Sequence, residues 1–149
     1  MLDTNIIVAA ALGGETRETI MLWKRGFLQL IVSDSIVREY LEVLARFVVD
    51  ANRLEHWTRW LGHPTKVTRV QPPTPMQVSR DPTDNQFLEA AVTGRAEYLV
   101  TRDKDLLVLK TFRGAVIVTP EEFLASWQAP RERRPPKRSR SARRKRRMD

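Results

Sequence analysis

The stretch from Asp81 to Leu107 constrains the chain more than any other, because it puts acids where acids are costly. Asp81 to Gly94 predicts a helix, with Asp81 as N-cap, Pro82 at the first helical position and Gly94 as the stop. At about 100° per residue, Phe87, Leu88, Ala91 and Val92 make one apolar stripe, and Asp84 falls inside it, a turn before Phe87 and Leu88. A carboxylate on an apolar face needs a partner, although an acid in a helix's first turn can also serve its N-terminus. Tyr98-Leu-Val-Thr101 then reads as a short buried parallel strand that delivers Asp103 and Asp105 past its C-terminal end. Sites in open α/β sheets form outside the carboxyl ends of strands. Asp105 has a local task available, as N-cap of a short helix through Leu106 and Leu109; Asp103 has none. One acid at a helix start and another at a strand end can converge on a cation.

The rest of the chain bounds this idea. At 149 residues it is one domain's worth, long enough to bury a core. There is no cysteine, which removes disulfides and thiolate metal sites and fits a reducing, cytoplasmic setting. The longest apolar run, Ile6 to Leu12, is too short to span a membrane. It follows Asp3 and no Lys or Arg, so a signal peptide and a membrane partner are not expected. His56 and His63 are seven apart with no Cys or H-E-x-x-H pattern, which argues against zinc.

The net charge of +8 is unevenly placed. From Pro130 onward there are eleven Lys/Arg and two Asp/Glu, a net of +9, while the body nets −1. The tail has no large apolar residue except Met148 and is expected to be disordered, which sets domain limits of 1–127 and 128–149. Arg138, Arg140, Arg143, Arg144, Lys145, Arg146 and Arg147 are its candidate nucleic-acid contacts.

Within the body, Thr16 to Arg25 predicts a helix and Phe27 to Val32 a strand. Ser33 or Asp34 then caps a helix to about Val48, and another helix spans Asp50 to Leu61. Trp57 and Trp60 on the latter are read as packing rather than a platform for bases. Val67 to Val70 and Ala115 to Val118 read as strands, and a last helix starts with Thr119, Pro120 and Glu122 in a capping-box arrangement. This alternation predicts a three-layer α/β/α sandwich on a mostly parallel sheet. On the helix after Ser33, projection at about 100° per residue sets Glu42 nearly opposite the apolar arc and Glu39 at its edge, beside Val43.

Leu2-Asp3-Thr4-Asn5, the helix from Ser33 to Leu44 with its inner Glu39, Asp81-Pro-x-Asp84 with Phe87 and Ala91, and Leu99-Val-Thr-Arg-Asp103 together resemble a PIN domain over about residues 1 to 127. The likeness is to the branch of toxin components of toxin–antitoxin systems. It implies a Mg²⁺- or Mn²⁺-dependent ribonuclease, with an RNA substrate, a cognate antitoxin protein and room for a homodimer. Position by position, Asp3, Glu39, Asp84 and Asp103 match the family's catalytic metal-site acids. Thr4, Asn5 and Thr101 match small polar residues around them, and Asp81 matches a common extra acid; Asp105 joins these as a secondary residue. Four carboxylates together need a counter-charge, and all-oxygen ligands favour hard cations. A haloacid-dehalogenase-type phosphatase would need Asp-x-Asp where this chain has Asp3-Thr4-Asn5. A non-catalytic nucleic-acid-binding protein, using the tail and a structural or decayed cation site, remains the competing class. One departure stands out. The family's first acid ends a strand, yet only Met1 and Leu2 precede Asp3, which predicts a late start or a stub of strand.

Overall fold

The computed structural model describes residues 1–14, 16–73 and 82–132, with side chains described over these spans except at 82–83 and 128–132. The helices are α1 (Thr4–Ala11), α2 (Arg17–Lys24), α3 (Asp34–Phe47), α4 (Ala51–Leu61), α5 (Pro82–Thr93), α6 (Lys104–Leu107) and α7 (Pro120–Glu132). The strands are β1 (Leu30–Ser33), β2 (Val67–Val70), β3 (Tyr98–Val100), β4 (Thr111–Phe112) and β5 (Ala115–Val118). The fold is α/β. Among the described residues the strands form a parallel pair, β1–β2, and a three-stranded sheet in the order β3–β5–β4.

Local chemistry explains most boundaries. Ser33 leaves β1 in an extended conformation and its hydroxyl accepts from Ile36 N, so one residue ends the strand and caps α3. Asp50 caps α4 in the same way, accepting from Asn52 N, and Thr119 caps α7 by accepting from Glu122 N at 3.2 Å. β1 begins three residues later than the expected Phe27, because the chain first closes α2: Gly26, at φ +83°, donates to the Trp23 carbonyl and Phe27 N to that of Leu22. Gly94 is needed for a different reason from the expected helix stop. The left-handed residue after α5 is Arg95, at φ +52°, and a Cβ on Gly94 would lie 2.6 Å from Ile31 Cγ2, so Gly94 is where α5 closes onto β1.

At the start of the chain, Leu2 bridges Val100 in parallel. Val100 N donates to the Met1 carbonyl at 2.9 Å and Asp3 N to the Val100 carbonyl at 3.0 Å. The Met1 nitrogen donates to Tyr98 O at 2.9 Å, the next rung along. This stub lies along β3 and hands Asp3 to the N-terminus of α1.

A single core runs through the described residues, with Ile6, Val32, Ile36, Leu44, Leu88, Leu99 and Leu106 fully enclosed. Trp57 is buried and Trp60 half-buried, its ring meeting Trp23 edge-on at 5.7 Å, so both tryptophans pack as expected. Trp60 Nε1 donates to His56 Nε2, which occupies that histidine within the helix surface.

Tyr40 ties the core to the stub. It is fully buried against Phe87, and its hydroxyl donates to the Leu2 carbonyl. Burial, and then the nearby charges of Asp3 and Glu39, push its phenol well above the usual value. Replacing it in Tyr40→Phe removes one buried hydrogen bond, an expected cost of about 1–3 kcal/mol. Because the folded-state value is raised, the native chain's advantage is complete below the unfolded phenol's titration, near pH 10, and shrinks as pH rises past it. Denaturation in EDTA should therefore show the gap between native and Tyr40→Phe narrowing above about pH 10; a gap that widens would refute this account of Tyr40.

Candidate metal centre

Asp84, Asp103 and Asp105 each bring one carboxylate oxygen to within 4.8 Å of the others. α5 supplies Asp84 from its first turn, buried at 5 % exposure on the same stripe as Phe87 and Leu88. β3 supplies the other two just beyond its C-terminal end, Asp103 half-buried and Asp105 exposed. The set is thus graded from the interior to solvent, open at the Asp105 side.

The local roles of the two strand-end acids are the reverse of those expected. Asp103 is the N-cap of α6, its Oδ1 accepting from Asp105 N at 2.9 Å, so it does have a local structural task. Asp105 caps nothing and stands in the first turn, free to aim its carboxylate at Asp84 and Asp103. The physical reason is spacing. α6 is only four residues long and begins at Lys104, two residues earlier than a cap at Asp105 allows.

Asp3 and Glu39 fall outside that triplet but are joined to it. Asp3, 7 % exposed, takes Thr4 N on Oδ1 at 2.7 Å and the Thr101 hydroxyl on Oδ2 at 2.8 Å. The same Thr101 oxygen accepts from Asp103 N at 3.0 Å. Thr4 Oγ1 donates to Glu39 Oε2. A continuous line of hydrogen bonds therefore runs from Glu39 through Thr4, Asp3 and Thr101 to Asp103. Thr101 is wholly buried at its centre. The expected quartet is divided by the structure: two of its members converge with Asp105, and the other two are held beside them by hydroxyls.

Of the small polar residues expected here, Thr4 and Thr101 make these contacts, whereas Asn5 is exposed. α1 starts at Thr4, so Asn5 is turned about 100° away from it. Asp81 and the basic residues Arg138, Arg140, Arg143, Arg144, Lys145, Arg146 and Arg147 lie outside the described residues. Asn85, buried at 7 % exposure next to Asp84, is a polar residue missed in the sequence although it projects to the Val92 edge of the apolar stripe, one turn before Leu88. Glu39 is half-buried and Glu42 exposed on the next turn. Calorimetric Mn²⁺ titration should accordingly find Glu42→Gln close to native and Glu39→Gln weakened by about 10–100-fold, the usual cost of losing a group that supports metal ligands; the opposite ranking would exclude Glu39 from the site.

The donor set suits a hard cation. All the candidate ligands are oxygens, and no histidine joins the cluster among the described residues. Two carboxylates 4.8 Å apart repel by about 3.5 kcal/mol before solvent screening at an effective dielectric of about 20, which a divalent ion would reverse. In the chain's described residues no helix is long and apolar enough to cross a membrane.

No curated protein and no solved structure matches the chain in comparison. The family model for the PIN domain matches residues 1–105, a span that takes in Asp3, Glu39, Asp84, Asp103 and Asp105 together. With the acids gathered beyond β3 and more than half the chain matched, this protein belongs to the PIN domain family, whose members are generally Mg²⁺- or Mn²⁺-dependent nucleases.

Proposed function

We propose that this protein is an endoribonuclease that cleaves RNA phosphodiester bonds at a Mg²⁺ or Mn²⁺ site, and that it acts as the toxin of a toxin–antitoxin pair in the cytoplasm. The observation that carries the nuclease reading is the convergence of Asp84, Asp103 and Asp105 within 4.8 Å at the mouth of β3, with Asp3 tethered to it through Thr101. Asp84, Asp103 and Asp105 would hold the cation, with Asp3 and Glu39 completing the acidic surround. When bound, such an ion supplies an activated water and offsets charge on the phosphodiester in flight.

The chain's own residues do the rest. Thr101 fixes the carboxylate of Asp3 and the backbone of Asp103 relative to each other, so neither can swing away independently. Thr4 holds Glu39 against the start of α1, where its carboxylate can orient a water at the edge of the site. Asp105, exposed at the mouth, faces the side from which a strand would enter.

In this reading the strands belong to one three-layer α/β/α sandwich over residues 1–127, and the basic residues from Pro130 onward form an appended segment that attracts phosphates. RNA is the substrate, an antitoxin protein is the regulatory partner, and a homodimer is compatible with both. Cleavage of RNA that requires Mg²⁺ or Mn²⁺, and that Asp103→Asn abolishes while RNA binding persists, is the expected outcome. RNA binding with no metal-dependent cleavage by the native chain would instead support a non-catalytic binding protein.

A further inference from the structure

Arg17, Lys24 and Arg53 line one groove between α2 and α4, about 570 Å³ in volume, with His56, Trp57 and Ala11 among its walls. No Asp or Glu belongs to its lining among the described residues. Two of the three cations are held in place. Lys24 is half-buried, its Nζ 5.1 Å from the Trp57 ring centre and 5.4 Å from that of Trp60. Arg53 donates to the Ala11 carbonyl at the C-terminal end of α1. Burial and the adjacent Arg17 both push the Lys24 ammonium below its ordinary value, as expected for positive charge that lacks a counter-ion. Three arginines elsewhere on the surface are neutralised: Arg59 meets Glu55 at 2.7 Å, Arg69 meets Asp34 at 3.3 Å and Arg102 meets Glu121 at 2.6 Å. Among the described residues Arg17, Lys24 and Arg53 enter no such ion pair.

We propose that this groove is an anion site that seats a phosphate of bound RNA, next to the strand's point of cleavage; that last assignment rests on the ribonuclease reading. α1 connects the two places. Asp3 caps its N-terminus and Ala11 ends it at the groove, a separation of about 10–12 Å for eight residues at 1.5 Å each. A strand crossing a mouth of carboxylates is repelled there and needs fixed cations beside it. The body of the chain nets −1, so within residues 1–129 attraction to a phosphate falls to a local cluster of this kind. Fixed point charges one short helix from the acids suit a nucleic-acid backbone better than an acidic protein surface.

The test is fluorescence anisotropy of a labelled single-stranded RNA with the full chain, in EDTA so that nothing is cut, over a range of salt. Arg17→Ala/Lys24→Ala should flatten the log–log slope by about 1.4, two contacts at about 0.7 each. Arg17→Ala alone, at an exposed position, should flatten it by about half of that and guards against a packing defect from losing Lys24. Arg59→Ala, which removes the same charge from a paired position outside the groove, should leave the slope unchanged. An unchanged slope in the double variant, or an equal change in Arg59→Ala, overturns the proposal. Binding of an acidic peptide that is tighter than RNA at the same salt, and lost in the double variant, overturns the assignment to RNA. Groove-dependent RNA binding by a native chain that never cleaves with Mn²⁺ would retain the groove and sink the ribonuclease reading.

Discussion

Asp84→Asn and Asp103→Asn should each lower metal-dependent RNA cleavage by at least about a hundredfold, the upper end of what losing even a supporting group costs a metal site. Each change removes one charge from a triplet whose oxygens lie within 4.8 Å, so the remaining acids hold a divalent ion less well. The two should differ in stability. Asp103 also caps α6, and an amide oxygen at that position still accepts from Asp105 N, so Asp103→Asn should unfold within about 1 kcal/mol of native. Asp84 is a buried carboxylate with a partner of its own, so Asp84→Asn should cost about 1–3 kcal/mol in the absence of metal. Single-turnover cleavage alongside denaturant unfolding in EDTA measures both; an Asp84→Asn chain that cleaves normally would remove it from the site.

Thr101→Val is the second large effect. Valine keeps the shape and deletes the oxygen that donates to Asp3 and accepts from Asp103 N. Thr101 is fully buried, so no water takes over without rearrangement. The expected loss is about 1–3 kcal/mol of stability, together with about 10–100-fold in activity, since Asp3 and Asp103 are no longer held relative to each other. Thr101→Ser keeps the hydroxyl and should recover most of the activity. If Thr101→Val and Thr101→Ser were equally impaired, the methyl group and not the hydrogen bonds would matter here.

How far the site was legible in the sequence depends on how each acid is placed. Asp84 was legible because it interrupts an apolar helical stripe, and periodicity exposes such an interruption at once. Glu39 was separated from Glu42 by the same projection on α3, where a 14-residue helix leaves little doubt about rotation. Asp103 and Asp105 were separated the wrong way round, with the cap given to Asp105. They lie two residues apart around a helix of one turn, either could cap it, and only the chain path after β3 decides. The run Ile6 to Leu12 is apolar at every position, so it carries no period from which to read α1 or the outward turn of Asn5. β4 escaped for a similar reason. It has two residues, and it exists because Arg113 and Gly114, at φ +45° and +92°, make a tight two-residue turn that folds Thr111 and Phe112 onto β5. The α/β alternation was readable from β-strand runs and caps, whereas strand order was not, because partners such as Leu2 and Val100 are far apart in the chain.

The central claim is that these acids form one divalent-cation site, and Mn²⁺ titration by calorimetry tests it without any knowledge of the RNA target. The native chain should show saturable Mn²⁺ binding that Mg²⁺ competes away, with Asp84→Asn and Asp103→Asn each weakening it by about tenfold or more. Native and substituted chains giving the same weak, unsaturable heats would contradict the claim.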